Sequence, residues 1–251
     1  MSEVQIASVT PAPLTQWQRI FNIFIAPSKT FEDIRRGNRN WWLPLILLTL
    51  AAYVLFAAIY TRIGMSQVVE NQIRMSPKAE ERMANLTPEQ AARGEKISVA
   101  VTEGAFLAAP LITLASAAIL AFGLLGTINF GFGGRASYGE IFALFLYAWL
   151  PGIVKTLMGI AVIYAGMAPE AFNVKNFAPT NLGAFLDPVD TNRALYTLAS
   201  SLDIVTIWML ILLGMGTAIV SGVKRSASYT VVFAWWAVFV LVGAAWAAAF
   251  S

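Results

Sequence analysis

Five stretches of this chain are long and nearly free of charge, and that pattern restricts the fold more than any motif does. No Asp, Glu, Lys or Arg lies between Arg39 and Arg62, between Glu103 and Arg135, between Asp203 and Lys224, or after Arg225. Only Lys155 interrupts the run from Glu140 to Glu170. A hydrocarbon core about 30 Å thick is crossed by roughly 20 apolar residues in helical conformation. Unpaired backbone N–H and C=O groups are costly in lipid, so spans this apolar must be helical. The fold class that follows is all-α, a polytopic membrane helix bundle with five transmembrane helices at about 41–60, 104–128, 141–165, 204–222 and 230–250.

Composition agrees. Charged residues make up 12% of the chain and hydrophobic ones 58%, with a mean hydropathy of +0.66; soluble domains carry about 25% charged residues. The net charge of +3 is too small and too dispersed for nucleic acid. Cysteine and histidine are both absent. That removes disulfides, thiolate sites, the commonest general base and every histidine-dependent triad. No catalytic residue, metal or cofactor is expected. No cleavable secretory signal is read either, because the first apolar run starts only near Trp41.

Residues 1–40 read as a tail followed by short amphipathic interfacial helices. In the segment from Leu14 to Ile25, Trp17, Ile20, Phe21 and Phe24 recur at helical spacing. Pro27 ends that helix and a second one runs from Ser28 to Gly37. Arg19, Lys29, Arg35, Arg36 and Arg39 accompany the aromatic residues. Such a stripe with flanking cations suits a helix lying against anionic headgroups; the competing reading packs the stripe on the end of the bundle. Trp41, Trp42 and Tyr60 bracket the first span as an aromatic belt.

Residues 61–98 are an extramembrane helical loop of alternating charge, a solvated face by its pattern. Pro77 and Pro88 suit first helical turns, and Thr87 with Gln90 suits a reciprocal capping box. Pro110 predicts a kink near the start of the second span. Gly131 to Arg135 reads as a tight turn, since no strand precedes it and no phosphate-loop lysine follows. Asp187 and Asp190 in the 167–200 loop fit a solvated turn better than a calcium loop. Counting Lys and Arg on alternate sides gives a tie, which the compact Arg35, Arg36, Arg39 cluster tips toward a cytoplasmic N-terminus.

Lys155 is the chemical outlier. A charge at mid-span costs about 2.5 to 3.5 kcal/mol on insertion scales. Tyr147, Pro151 and Lys155 are spaced four apart, so they share one face of that helix, a polar and bent one with the carbonyl of Tyr147 freed by Pro151. One reading is a small transporter or channel with an intramembrane polar site that includes Asp203. The other is structural pairing of Lys155 with Asp203, Glu103 or Glu140. An intramembrane hydrolase centred on Asp203 finds little support, because no two aspartates oppose each other within spans. Gly214, Ala218 and Gly222 form a small-residue stripe, expected to pack within the bundle or, alternatively, to join protein partners or a homo-oligomer.

Several segments, in order, resemble the Yip domain family (Ypt/Rab-interacting integral membrane proteins), in its bacterial branch. They are Phe21 to Phe24 with Ala26 to Arg35 and Trp42-Leu43-Pro44; Ser137-Tyr138-Gly139 with Leu146 to Pro151; and Asn181 to Leu186, Leu202 to Trp208 and Gly214 to Ser221 with Lys224-Arg225. The resemblance implies five spans, a cytoplasmic N-terminus and a C-terminus across the membrane. It implies no enzyme activity and no cofactor. Eukaryotic relatives bind Rab GTPases and help shape or sort secretory membranes; the long acidic, aromatic-rich cytosolic N-terminal region typical of them is not read in this chain, which argues against Rab GTPase binding. The function expected is a non-enzymatic membrane-organising or partner-recruiting protein, with lipid bilayer as its constant partner.

Overall fold

A computed structural model describes residues 12–249. Two short helices precede the first long one: α1 (Gln16–Ile25) and α2 (Pro27–Arg35). Thr15 and Gln18 cap α1 reciprocally, and Pro27 at the first turn of α2 enforces the corner between them. Then follow α3 (Trp42–Arg62), α4 (Met65–Arg74), α5 (Pro77–Ala84), α6 (Pro88–Leu107), α7 (Ala109–Phe132), α8 (Tyr138–Ala148), α9 (Gly152–Tyr164), α10 (Arg193–Ser201), α11 (Ile204–Ser221) and α12 (Arg225–Ala249). Two 3₁₀ turns, Pro169–Ala171 and Leu182–Phe185, lie between α9 and α10. The described residues contain no strand, only an isolated antiparallel bridge between Asn181 and Asp203.

Five helical units are long and apolar enough to cross a membrane: α3, α7, α8 with α9, α11 and α12. Only 22% of the most apolar stretch of α7 and 17% of that of α12 is buried inside the protein. Residues such as Phe122, Ile119, Leu241 and Val242 project outward. Apolar surface on that scale belongs in lipid, not water.

The spans run alternately up and down, which gives the molecule two ends. The near end gathers α1, α2, the C-termini of α7 and α11, and the N-termini of α3, α8 and α12. It is tied together by Arg39 to Glu140 at 3.1 Å and by the Arg135 N–H donating to Ser221 O at 3.0 Å. The far end gathers α4 to α6 and the 165–203 segment. Near-end cations (Arg19, Lys29, Arg35, Arg36, Arg39, Arg135, Lys224, Arg225) outnumber its carboxylates Glu32, Asp33 and Glu140. The two signs nearly balance at the far end.

The helix starts and stops differ from expectation at three places, each with a local cause. The second span starts at Ala109, because the chain breaks at Ala108 and Pro110 sits in the first turn of a new helix, where its missing N–H is harmless. Pro110 therefore sits just after a one-residue interruption between α6 and α7, beside the point where the kink is expected. The third span is two helices, interrupted over Trp149–Pro151. The fifth begins at Arg225, so Ser228 is helical and donates its hydroxyl to Gly214 O at 2.7 Å, fastening α12 to α11. The capping box of Thr87 with Gln90 is present. Gly133, at φ +69°, ends α7 in the left-handed conformation.

Candidate functional site

Two buried polar clusters divide the residues that the sequence pattern placed together. The near-end cluster is built on Arg19, which is fully buried. On α1, Arg19 and Ile23 are four residues apart and share one helical face with Ile20, whereas Trp17, Phe21 and Phe24 fall on the opposite one. Ile20 and Ile23 are buried; Trp17 is 57% exposed, Phe21 66% and Phe24 40%. The expected stripe is thus split: Ile20 belongs to the core, Trp17 and Phe21 face outward, and Phe24 meets Trp208 of α11 edge-on with ring centres 5.7 Å apart.

The guanidinium of Arg19 is satisfied from all sides. Its Nε donates to Asp33 Oδ2 at 2.7 Å, one terminal nitrogen donates to Asn40 O and to the Tyr147 hydroxyl, each at 3.2 Å, and the other to Asn38 O. Asp33 accepts further from Asn38 Nδ2 at 2.9 Å and from the Leu14 N–H at 3.2 Å. The Tyr147 hydroxyl lies 2.9 Å from Gln16 Oε1 and 3.0 Å from Asn40 O. Thr30 closes the corner by donating to Arg19 O at 3.0 Å. A guanidinium taken out of water is tolerable only when paired and fully hydrogen-bonded, and this one is. Sequence reasoning counted Arg19 among interfacial cations and passed over Asp33. The signal was the position of Arg19 beside Ile23, away from the aromatic face.

At the far end, Lys155 Nζ lies 2.8 Å from Asp203 Oδ2 and 5.8 Å from the centre of the Phe177 ring. Thr180 donates to the same carboxylate oxygen at 2.6 Å, while Asp203 Oδ1 caps α11 by accepting from the Val205 and Thr206 N–H groups, both at 2.9 Å. The segment carrying Phe177 and Thr180 packs over α9, where a Cβ on Gly159 would lie 2.4 Å from the Phe177 ring. Asn176, Asn181 and Tyr196 extend the network. Of the partners considered for Lys155, the geometry selects Asp203; Glu140 is held by Arg39.

Tyr147, Pro151 and Lys155 do not share a face. The interruption between α8 and α9 sends Tyr147 into the near-end cluster and Lys155 into the far-end one. Nor does Pro151 leave the Tyr147 carbonyl free, because the Leu150 N–H bonds to it at 3.2 Å in a tightened turn.

The small-residue stripe is used internally. A Cβ on Gly214 would lie 2.4 Å from the Tyr229 ring of α12, and one on Gly216 would lie 2.1 Å from Leu144 of α8. Ala218 is buried. Gly222 is not a packing residue; at φ +76° it ends α11 in the left-handed conformation. Asp187 accepts the Val189 and Asp190 N–H groups at 2.7 and 3.1 Å, and these bonds hold its carboxyl below the ordinary aspartate range. Both bonds go to the same carboxylate oxygen, Oδ1, and shape the turn.

An open recess of about 440 Å³ sits at the near end, lined by Arg35, Gly133, Arg135, Glu140, Val220, Ser221 and Gly222. Arg35 and Arg36 are exposed beside it, with Arg36 lying 3.6 Å from Asp33.

No curated protein sequence and no solved structure matches this chain. The model of one family, the Yip1 domain, matches residues 21–247, from the exposed face of α1 nearly to the end of α12. With its five membrane-crossing units in that order, the chain belongs to the Yip1 domain family of integral membrane proteins.

Proposed function

We propose that this protein is a non-enzymatic organiser or recruiter of partners in a lipid bilayer, with its near end on the cytoplasmic side. One observation carries the reading: α1 and α2 form a platform fixed to the bundle on one face and bare on the other. The fixed face is the Arg19–Asp33–Tyr147 cluster with Ile20, Ile23, Phe31 and Ile34. The bare face carries Trp17, Phe21 and Ile25, while Phe24 beside them packs edge-on against Trp208 of α11 with ring centres 5.7 Å apart. An aromatic edge fixed along the side of the bundle is suited to lie against lipid or to meet another membrane protein there. Raw Lys and Arg counts leave the orientation tied, but the unbalanced positive charge of the near end matches the anionic cytoplasmic leaflet.

A transport role built on Lys155 finds less support. Its ammonium is bonded to Asp203 and shielded by Phe177, leaving no free charge to meet a passing ion. The stripe of Gly214 and Ala218 likewise faces α12 and the core, so partners must dock elsewhere. Photo-crosslinkers placed at Trp17 and Phe21 in native membranes test the proposal. Discrete protein adducts, absent when the crosslinker replaces Ile119 on the lipid face of α7, are the expected result. Lipid adducts alone at all three positions would refute partner recruitment through this edge.

A further inference from the structure

Most near-end cations whose partners are visible serve the fold: Arg19 and Arg36 engage Asp33, and Arg39 engages Glu140. Arg35 and Arg135 differ. Among the described residues neither side chain has a carboxylate partner, yet both line the same recess, one from the end of α2 and the other from the turn after α7. The one acid there, Glu140, is engaged by Arg39 at 3.1 Å. Two uncommitted guanidinium groups on one cavity, with the local carboxylate neutralised, make a site for an anion.

The backbone does not oppose it. The recess adjoins the C-terminus of α11, whose last carbonyls would repel an anion. Two of them are taken: Ser221 O by the Arg135 N–H and Ala218 O by the Gly222 N–H, both at 3.0 Å. The Ser221 hydroxyl is spent as well, donating to Thr217 O at 2.6 Å. Arg35 and Arg135 are the two cationic side chains that line the opening.

Depth decides the source of the anion. The recess lies between residues from the end of α7, the start of α8 and the end of α11, so three membrane-crossing units have a terminus beside it. Phosphates beside the ends of spans belong to lipid headgroups. We propose that the recess between Arg35 and Arg135 binds the phosphate of an anionic phospholipid. The inference rests on the reading that the near end lies at the membrane surface.

The test uses the full chain in detergent, titrated with phosphatidylglycerol, with phosphatidylcholine as the neutral comparison and inorganic phosphate as the soluble one, counting bound lipid by native mass spectrometry. The unaltered chain should retain phosphatidylglycerol over phosphatidylcholine. A surface cation contributes about fivefold to such binding, so R35Q/R135Q should lose about 25-fold, and R35K/R135K should keep most of it. K224Q/R225Q removes equal charge outside the recess and should lose less than about threefold at 0.15 M salt, where exposed charges are screened beyond about 8 Å. Equal losses in both glutamine pairs, or no preference over phosphatidylcholine, would overturn the site. Displacement by inorganic phosphate as readily as by the lipid would assign the recess to a free anion instead. A fluorophore at Ser226→Cys, quenched by headgroup-labelled lipid in vesicles, reads the depth of the near end separately. Quenching without lipid selectivity rejects the recess alone; absence of quenching rejects the depth on which it rests.

Discussion

At the scale of single residues, the two buried ion pairs behave differently when broken, because their surroundings differ. Arg19 and Asp33 are closed off from water, with side-chain exposures of 0% and 2%. Removing one partner leaves a buried, uncompensated charge, which costs about 3 to 5 kcal/mol. Asp33→Asn should therefore destabilise the protein by about that amount in thermal unfolding of the detergent-solubilised chain. Tyr147→Phe removes one hydroxyl from the same cluster and should cost only about 1 to 2 kcal/mol. A loss equally small for Asp33→Asn would show that the cluster is wetter than its geometry indicates. At the far end, the Lys155 side chain keeps 23% of its surface exposed, so its burial penalty is smaller. Lys155→Met and Asp203→Asn should each destabilise, but the double variant should lose less than the two losses added together. A coupling of about 0.5 to 3 kcal/mol in that cycle would mark a structural pair. Strict additivity would mean that the 2.8 Å contact carries no energy.

At the scale of elements, most of what the sequence made legible came from hydrophobic length and helix-start chemistry, and most of what it hid came from backbone interruptions. Long apolar runs, charge-free in four cases and broken by Lys155 in the third, mark the five membrane-crossing units because lipid enforces that pattern residue by residue. Thr87 with Gln90, and the prolines at 77 and 88, mark helix starts because the chemistry is local, whereas Pro27, expected to end α1, is itself the first residue of α2. The interruption over Trp149–Pro151 was not legible in the same way. A proline within an apolar run permits either a kink or a break, and tertiary contacts decide. Here the break serves both clusters at once, turning Tyr147 toward Arg19 while Lys155 meets Asp203. Once an unbroken helix was assumed, Tyr147 and Lys155 were assigned to one site by spacing alone. The stripe of small residues was legible as close packing, but not as to which surface it packs. Gly214 is the place to test it: Gly214→Ala puts a methyl 2.4 Å from the Tyr229 ring and should cost about 1 to 3 kcal/mol in thermal unfolding. Tyr229→Ala in the same chain should recover part of that loss. If Gly214→Ala instead altered only self-association, leaving unfolding unchanged, the stripe would belong to an interface between copies.

At the scale of the whole molecule, alternating spans and unequal ends make topology the property that links fold to function. An odd number of passes places α1 and the end of α12 on opposite sides of the bilayer. The near-end platform then faces one compartment, and the far-end helices α4 to α6 face the other. Because the chain contains no cysteine, single cysteines introduced at exposed positions report sidedness without background. Ser226→Cys marks the near end and Asn85→Cys, at the end of α5, marks the far end. With a membrane-impermeant maleimide added to intact cells, Asn85→Cys should label while Ser226→Cys labels only after permeabilisation. The excess of cations over carboxylates at the near end supplies the physical reason, since the cytoplasmic leaflet is anionic and a basic side chain near it gains about 1 kcal/mol. The reverse pattern would leave the five-pass bundle intact but move the aromatic platform to the outer face, away from the compartment in which it is proposed to recruit. Labelling of both positions from the same side is the more damaging result, because it requires an even number of passes between them, and one of the three apolar units that separate them (α7, α8 with α9, or α11) would then have to lie outside the hydrocarbon.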